Sequence, residues 1–89
     1  MALYLEPNSG EWLSVLEVFN PEQAARTRRI LKRTGRTDVC SICGDQPASD
    51  FKIVAEIIPA NAVATIRLCR DCREIRGKVY GEIYEPLRE

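Results

Sequence analysis

The stretches Cys40-Ser41-Ile42-Cys43-Gly44 and Cys69-Arg70-Asp71-Cys72 decide how this chain folds. They contain all four cysteines of the 89-residue sequence, and the sequence has no histidine. A Cys-x-x-Cys pair brings two thiolates to one side of a tight turn, and two such pairs complete a tetrahedral sulfur cage. The spacing therefore predicts one structural zinc site with Zn²⁺ as the cofactor. Its predicted ligands are Cys40, Cys43, Cys69 and Cys72.

Disulfides or a redox dithiol are the alternatives to a metal site. The sequence begins without a basic leader and has no run of roughly 20 apolar residues, which a membrane span would need. We therefore expect a cytoplasmic protein without a membrane partner. In a reducing compartment two Cys-x-x-Cys pairs favour a metal over disulfides. Redox dithiols do not usually come as two such pairs in one short chain, which also favours the metal.

Length and charge limit what the chain can be. The 89 residues are predicted to form one domain, residues 1–89, and so short a chain has a thin core that a metal can reinforce. Thirteen basic and thirteen acidic residues give a formal net charge of zero, so the whole molecule has no general attraction to nucleic acid or membranes. An electrostatic partner must therefore be sought in local clusters of charge.

Residues 1–36 are predicted to form two helices. The first runs from Glu11 to Phe19 and carries an apolar stripe at helical spacing. We assign this stripe to the core, although Trp12, the only tryptophan, is also a candidate for a dimer contact. The second helix begins after the N-cap Asn20 and runs from Pro21 to about Arg33.

The second helix carries the only marked charge asymmetry of the sequence. Residues 23–36 contain six basic side chains and no acid. These are Arg26, Arg28, Arg29, Lys32, Arg33 and Arg36. Runs of charge are usually a solvated helix face, and binding to a phosphate backbone is the functional alternative.

The cysteine pairs are separated by residues with strand character. Residues 51–58 are β-rich and predict one strand or two halves of a hairpin, and residues 65–68 alternate as a second strand. Turn, hairpin and helix in this order are the treble-clef arrangement. The predicted fold class is therefore α+β, with two helices in residues 1–36 before a small treble-clef zinc finger in residues 38–84.

The C-terminal helix is predicted to start at Arg70, where apolar residues begin to recur every three or four positions. The second cysteine pair then lies at a helix N-terminus, where the helix dipole favours thiolate. We expect one helix to about Tyr84. The alternative is a helix that stops at Gly77 and leaves residues 79–84 extended.

Residues 28–77 resemble the core of the HNH nuclease family. That family shows a basic helix, Cys-x-x-Cys-Gly, Val-Asp-His-Ile-Ile-Pro, and Asn-Leu before a second Cys-x-x-Cys, with Asn or His and a Lys-Gly after it. The matching stretches are Arg29-Ile30-Leu31-Lys32-Arg33-Thr34-Gly35, Cys40 to Gly44, Val54-Ala55-Glu56-Ile57-Ile58-Pro59, Leu68-Cys69, Cys72-Arg73 and Arg76-Gly77. The resemblance implies a treble-clef zinc fold and nucleic acid as the class of partner.

The catalytic positions of the HNH family are replaced in this chain. Ala55 and Glu56 stand where the family has its Asp-His pair, whose histidine activates water as a general base. The family asparagine aligns with Ala64, and the last Asn or His of the family aligns with Arg73. We therefore predict no nuclease activity and a fold that serves as a binding module. An enzyme rebuilt around Glu56 ranks last.

Nucleic acid, DNA or RNA, is the first predicted partner. The predicted contacts are Arg26, Arg28, Arg29, Lys32, Arg33, Arg67, Arg70 and Arg73. The zero net charge counts against this prediction, and the alternative is a protein-interaction or adaptor module, with a homodimer as one form. The cysteine spacing is also similar to that of zinc domains of chaperone ATPases. The apolar residues Val79, Tyr80, Ile83 and Tyr84 suit contact with a partner protein.

Overall fold

The computed structural model describes residues 2–87 and shows an α+β fold with three helices and three strands within that range. The strands form one antiparallel sheet in the order β2-β1-β3. The elements in chain order are α1 (Gly10–Phe19), α2 (Pro21–Thr34), β1 (Ala48–Val54), β2 (Thr65–Cys69), α3 (Arg70–Tyr80) and β3 (Ile83–Pro86). The predicted α+β class is confirmed.

Local capping signals set the ends of the two N-terminal helices. The Ser9 hydroxyl accepts a hydrogen bond from the backbone N–H of Trp12, and the Asn20 side chain accepts one from the N–H of Gln23. Gly35 ends α2 in the left-handed conformation with φ 66°. Both helices therefore lie within one residue of the predicted bounds.

Trp12 is the largest side chain of the core. It is only 1% exposed, and its indole Nε1–H donates to the carbonyl oxygen of Thr65 at 2.8 Å. The buried cluster around it continues into the cysteines, since Phe51, Leu68, Cys40 and Cys69 belong to the same cluster. Trp12 is thus a core residue, and its burial leaves almost no surface for the dimer contact that was the alternative.

Strand β1 begins earlier than the sequence predicts. Ala48 pairs with Cys69 and Lys52 with Thr65, so the strand must start opposite the second cysteine pair. Residues 55–58 leave the sheet, and the Ile57 side chain is 86% exposed. The apolar run at 51–58 therefore marks only the second half of the strand, because β propensity does not reveal the pairing register.

Helix α3 is shorter than the predicted helix to Tyr84. Gly81 adopts φ 65°, and its backbone N–H bonds to the carbonyl of Gly77, which closes the helix at Tyr80. The chain then turns back as β3, where Tyr84 pairs with Ile53 and Pro86 pairs with Phe51. An extended segment after the helix is present, as the alternative prediction held, but the helix continues past Gly77.

The N-terminal segment is tied to the loop before β2. Leu3 forms a parallel bridge with Val63, and the Thr65 hydroxyl donates to the carbonyl of Leu5. None of the helices within residues 2–87 is both long and apolar enough to cross a membrane.

Candidate metal centre and basic groove

The four cysteine side chains meet at one end of the β1–β2 pair. Their Sγ atoms all lie within 4.8 Å of one another, and the Sγ atoms of Cys43 and Cys69 are 3.5 Å apart. A tetrahedral zinc site with Zn–S distances of about 2.3 Å places its sulfurs about 3.8 Å apart. All four thiols are free, whereas a disulfide would need about 2.05 Å between two sulfurs. The cluster therefore fits a metal ion and does not match the disulfide alternative.

The first cysteine pair lies in a tight turn that we call the knuckle, residues 40–44. The N–H of Gly44 donates to the carbonyl of Cys40 at 2.9 Å, and the N–H of Ile42 points to Cys40 Sγ at 3.4 Å. Gly44 has φ 82°, a conformation that L side chains rarely adopt. The turn therefore supplies backbone donors to sulfur as well as the two thiols themselves.

The second pair joins strand β2 to helix α3. Cys69 is the last residue of β2 and the N-cap of α3, and Cys72 lies in the first helical turn. The helix dipole favours negative charge at this end, although the Cys69 side chain accepts no capping hydrogen bond from the helix. The strand therefore fixes one ligand, and the start of the helix positions the other.

The cluster without a bound metal resists full ionisation. Burial raises the pKa of Cys43 to about 12, and burial together with the neighbouring sulfurs raises the pKa of Cys72. Burial also opposes ionisation of Cys40, but hydrogen bonds from backbone amides outweigh it and lower the Cys40 pKa. Four thiolates this close repel one another, so a cation is needed to hold all of them in charged form.

Ser41 fixes the knuckle to three other parts of the fold. Its N–H donates to the carbonyl of Arg67 at 2.8 Å, and its hydroxyl donates to Asn8 Oδ1 at 2.6 Å. Its carbonyl accepts from the hydroxyl of Thr27 on α2 at 2.8 Å. Asn8 is 3% exposed and also donates through Nδ2 to the carbonyls of Thr37 and Val39 at 2.8 and 2.9 Å. Sequence reasoning missed this role of Asn8, which lies in a stretch typical of turns.

Three of the eight predicted nucleic-acid contacts line one groove beside the knuckle. Arg26, Arg29 and Arg33 recur at i, i+3 and i+7 and so form a stripe along one face of α2. Together with Ile30 and Ile42 they line an open groove of about 490 Å³, which we call the arginine groove. Its lining contains no acidic residue. Among the described residues, no carboxylate forms an ion pair with any of the three arginines.

Two other basic side chains of α2 lie outside this groove. Arg28 forms an ion pair with Glu17 of α1. Lys32 is exposed and does not line the groove. The basic run of α2 thus serves more than one face of the helix, and only part of it forms a continuous cationic surface.

The predicted contacts on β2 and α3 lie elsewhere. Arg67 makes a two-pronged ion pair with Asp50 across the β1–β2 ladder, at 2.5 and 3.0 Å, and its side chain is only 12% exposed. The carboxylate raises the pKa of Arg67. The Arg73 guanidinium stacks over the Phe51 ring at 5.4 Å from its centroid. Arg70 is exposed, 3.8 Å from Glu74, in a surface pair that contributes little to stability.

Arg67 and Arg73 share a cavity of about 610 Å³ with three carboxylates, Glu6, Asp38 and Asp50. The mixed charge of this cavity differs from the purely basic arginine groove. The eight predicted side chains therefore do not form a single surface.

Helix α3 and strand β3 expose apolar side chains. α3 has no buried residue, and the exposed side chains are Ile75, Val79, Tyr80 and Ile83. Tyr84, which was predicted to belong to this surface, is half-buried and packs edge-to-face on Phe51 with 6.5 Å between ring centroids. Burial raises the pKa of the Tyr84 hydroxyl to about 12, and that hydroxyl donates to Glu82.

Comparisons of the chain with protein-family models, with curated proteins and with solved structures gave no match. The resemblance to the HNH family therefore stays a prediction that depends on the residues alone.

Proposed function

We propose that this chain is a treble-clef zinc domain whose cysteines bind one structural Zn²⁺ and whose helix α2 binds nucleic acid. The order of elements supports the fold assignment, since the knuckle is followed by the antiparallel β1–β2 pair and by α3 with Cys72 in its first turn. Four thiolates fill a tetrahedral ion and leave no open position for a substrate, which supports a structural role. Cys40, Cys43, Cys69 and Cys72 would hold the ion, whose chemical contribution is to neutralise and fix these thiolates.

The observation that carries the nucleic-acid proposal is the arginine groove. Arg26, Arg29 and Arg33 present three permanent charges beside a rigid turn, with no acid in the groove lining. Charged groups already paired within the protein have less to gain from a phosphate, and Arg28 and Arg67 are so paired. A zero net charge does not oppose local binding of this kind, because charges beyond about 10 Å are largely screened at ordinary salt.

Substitution of two adjacent arginines, one at a time, tests this proposal. Labelled DNA should bind the zinc-loaded protein, and Arg29→Ala should lower the slope of log affinity against log salt by about 0.7–0.9, the value of one lost phosphate contact. Arg28→Ala is the matched control, because it removes the same charge from the same helix at a side chain paired with Glu17. Fluorescence anisotropy at several salt concentrations measures both. Equal effects of the two variants, or no binding at micromolar protein, would exclude the arginine groove as the contact.

We further propose that the domain is not a nuclease. The sequence has no histidine to act as a general base, and Glu56 is an exposed residue of the segment after β1. A nicking assay with Mg²⁺ and supercoiled DNA checks this. Cleavage that disappears in Glu56→Ala would contradict the proposal.

A protein-interaction role is the second candidate, and the exposed apolar side chains of α3 favour it. Ile75, Val79, Tyr80 and Ile83 together expose a ridge of the kind that marks protein contacts. If this ridge joins two copies, sedimentation should show a dimer that Val79→Glu converts to a monomer. A monomer at high concentration of the unmodified protein would exclude the homodimer.

A further inference from the structure

The arginine groove has an apolar floor between its charged edges. Ile30 is almost fully buried under the groove, and Ile42 of the knuckle is partly buried against the core and lines the other side. A phosphate alone is bound by charge and hydrogen bonds and has no use for apolar surface. A sugar or base attached to that phosphate would cover Ile42, and a guanidinium plane can stack on the base.

The arginine groove suits a single strand better than a duplex. In a duplex the faces of the bases are stacked inside, so a duplex could offer the arginines its phosphates but could not place a base against Ile42. The groove is open to solvent and has a volume of about 490 Å³, within the range of roughly 300–1,000 Å³ typical of sites for small organic groups. A single strand can turn a base and its phosphate into such a pocket because its bases are not paired.

We propose that the arginine groove holds one nucleotide of a single-stranded nucleic acid, with the phosphate on Arg29 and Arg33 and the sugar or base against Ile42. This inference rests on the proposed nucleic-acid function and names its substrate class. It assigns Ile42 a contact with the ligand in addition to its place between two zinc-ligand cysteines.

The larger cavity around Arg67 is a weaker candidate for the same ligand. Its arginines share the cavity with Glu6, Asp38 and Asp50, and these carboxylates would repel a phosphate. Arg67 is already bound to Asp50 through two hydrogen bonds. Among the cavities described, the arginine groove alone combines several arginines with an apolar surface and no acid.

The test compares the affinities of the protein for two ligands that carry the same fluorescent label. A fluorescent oligothymidine and a duplex of equal length are titrated with zinc-loaded protein at low salt, with anisotropy as the readout. The single strand should bind about tenfold more tightly, the factor that one base contact supplies. Ile42→Ala should remove this preference, while the control Ile57→Ala, at a side chain that is 86% exposed and outside the groove, should preserve it. Arg29→Ala should weaken binding of both ligands.

Each outcome separates this inference from the proposed function. Equal affinity for single strand and duplex, with Ile42→Ala the same as the unmodified protein, would overturn the single-strand inference and leave nucleic-acid binding intact. Binding of neither ligand would overturn both. The comparison of the two ligands uses the unmodified protein, so it tests the preference for single strands even if Ile42→Ala fails to fold. Such a folding defect would be detected as loss of bound zinc. In that event Ile42→Val provides the side-chain test.

Discussion

At the scale of single residues, Gly44 meets two separate constraints. Its φ of 82° lies in the left-handed region, and a Cβ added there would lie 2.8 Å from Cγ2 of Ile30 and 3.2 Å from a guanidinium nitrogen of Arg33. The first constraint is conformational and the second is steric. The missing side chain at Gly44 thus leaves room for Ile30 and Arg33 of α2 to lie close to the knuckle, beside the arginine groove.

Substitution of Gly44 should therefore destabilise the protein more than substitution of a left-handed glycine that has open space around it. We expect Gly44→Ala to destabilise the zinc-loaded protein by about 2–4 kcal/mol, because strain and overpacking add. Gly35→Ala is the control, since Gly35 has φ 66° but open space around the added Cβ, and it should cost about 1–2 kcal/mol. Urea unfolding measures both. Equal losses would show that the contact with Ile30 has no energetic weight.

The hydrogen-bond partners of Asn8 and Arg67 could not be predicted from the sequence. The four cysteines were predicted as one site because Cys-x-x-Cys pairs carry their geometry within four residues. The bonds of Asn8 reach residues 29 to 33 positions away, and Arg67 pairs with an aspartate 17 positions away. Composition shows that Asn and Arg are present, but only the fold decides which group they meet.

At the scale of elements, helix α3 depends on the metal centre more than the other helices do. None of its residues is buried, whereas α1 and α2 each contribute buried side chains to the interior. Its ties to the rest of the fold include Cys69 and Cys72 at its N-terminus, the Arg73 guanidinium over the Phe51 ring and the Arg76 side chain against Tyr84. Without the ion, repulsion and loss of ligation would remove the first of these ties.

Removal of zinc should therefore release α3 before α2. In hydrogen exchange, a strong chelator should abolish protection of amides in Arg70–Tyr80 while Ala24, Thr27 and Ile30 stay protected, because those α2 residues are buried. Cys72→Ser should reproduce the effect without chelator. Full protection of α3 in the zinc-free protein would show that packing alone holds this helix.

The elements that sequence reasoning placed correctly have local signals. Asn20-Pro21 and Gly35 bound α2, and both ends agree with the prediction. Strand β1 and the end of α3 were misplaced because they depend on pairing across the sheet: Ala48 is in β1 because Cys69 lies opposite, and Tyr84 is in β3 because Ile53 offers an edge. Apolar periodicity alone cannot distinguish a last helical turn from such an edge strand.

At the scale of the whole molecule, the proposed zinc centre links stability to pH. A bound ion would hold the four cysteines as thiolates, whereas the thiols of an unfolded chain are mostly protonated below about pH 8.5. Unfolding below that pH therefore takes up protons, so the stabilisation that the ion supplies is lost as pH falls. A small domain with a thin core has little else to compensate.

We expect the stability of the zinc-loaded protein to fall as pH decreases from about 8 to 5. Four thiols that take up protons on unfolding give a slope of up to about 5 kcal/mol per pH unit. Thermal unfolding across this range, with zinc release followed by a chromogenic chelator, measures it. A thermal stability that does not change with pH or with chelator would show that the core holds the fold without the metal.

Strand β3 forms one edge of the sheet, where a second protein molecule could add a strand at high protein concentration. The Leu87 N–H bonds inward to the carbonyl of Asp50, so alternation along the ladder turns the backbones of Tyr84 and Pro86 away from β1. Proline has no N–H, so this outer rim offers a single amide donor within the strand. An incoming chain would find few donors to pair with on this edge, so we expect β3 to be a poor template for strand addition.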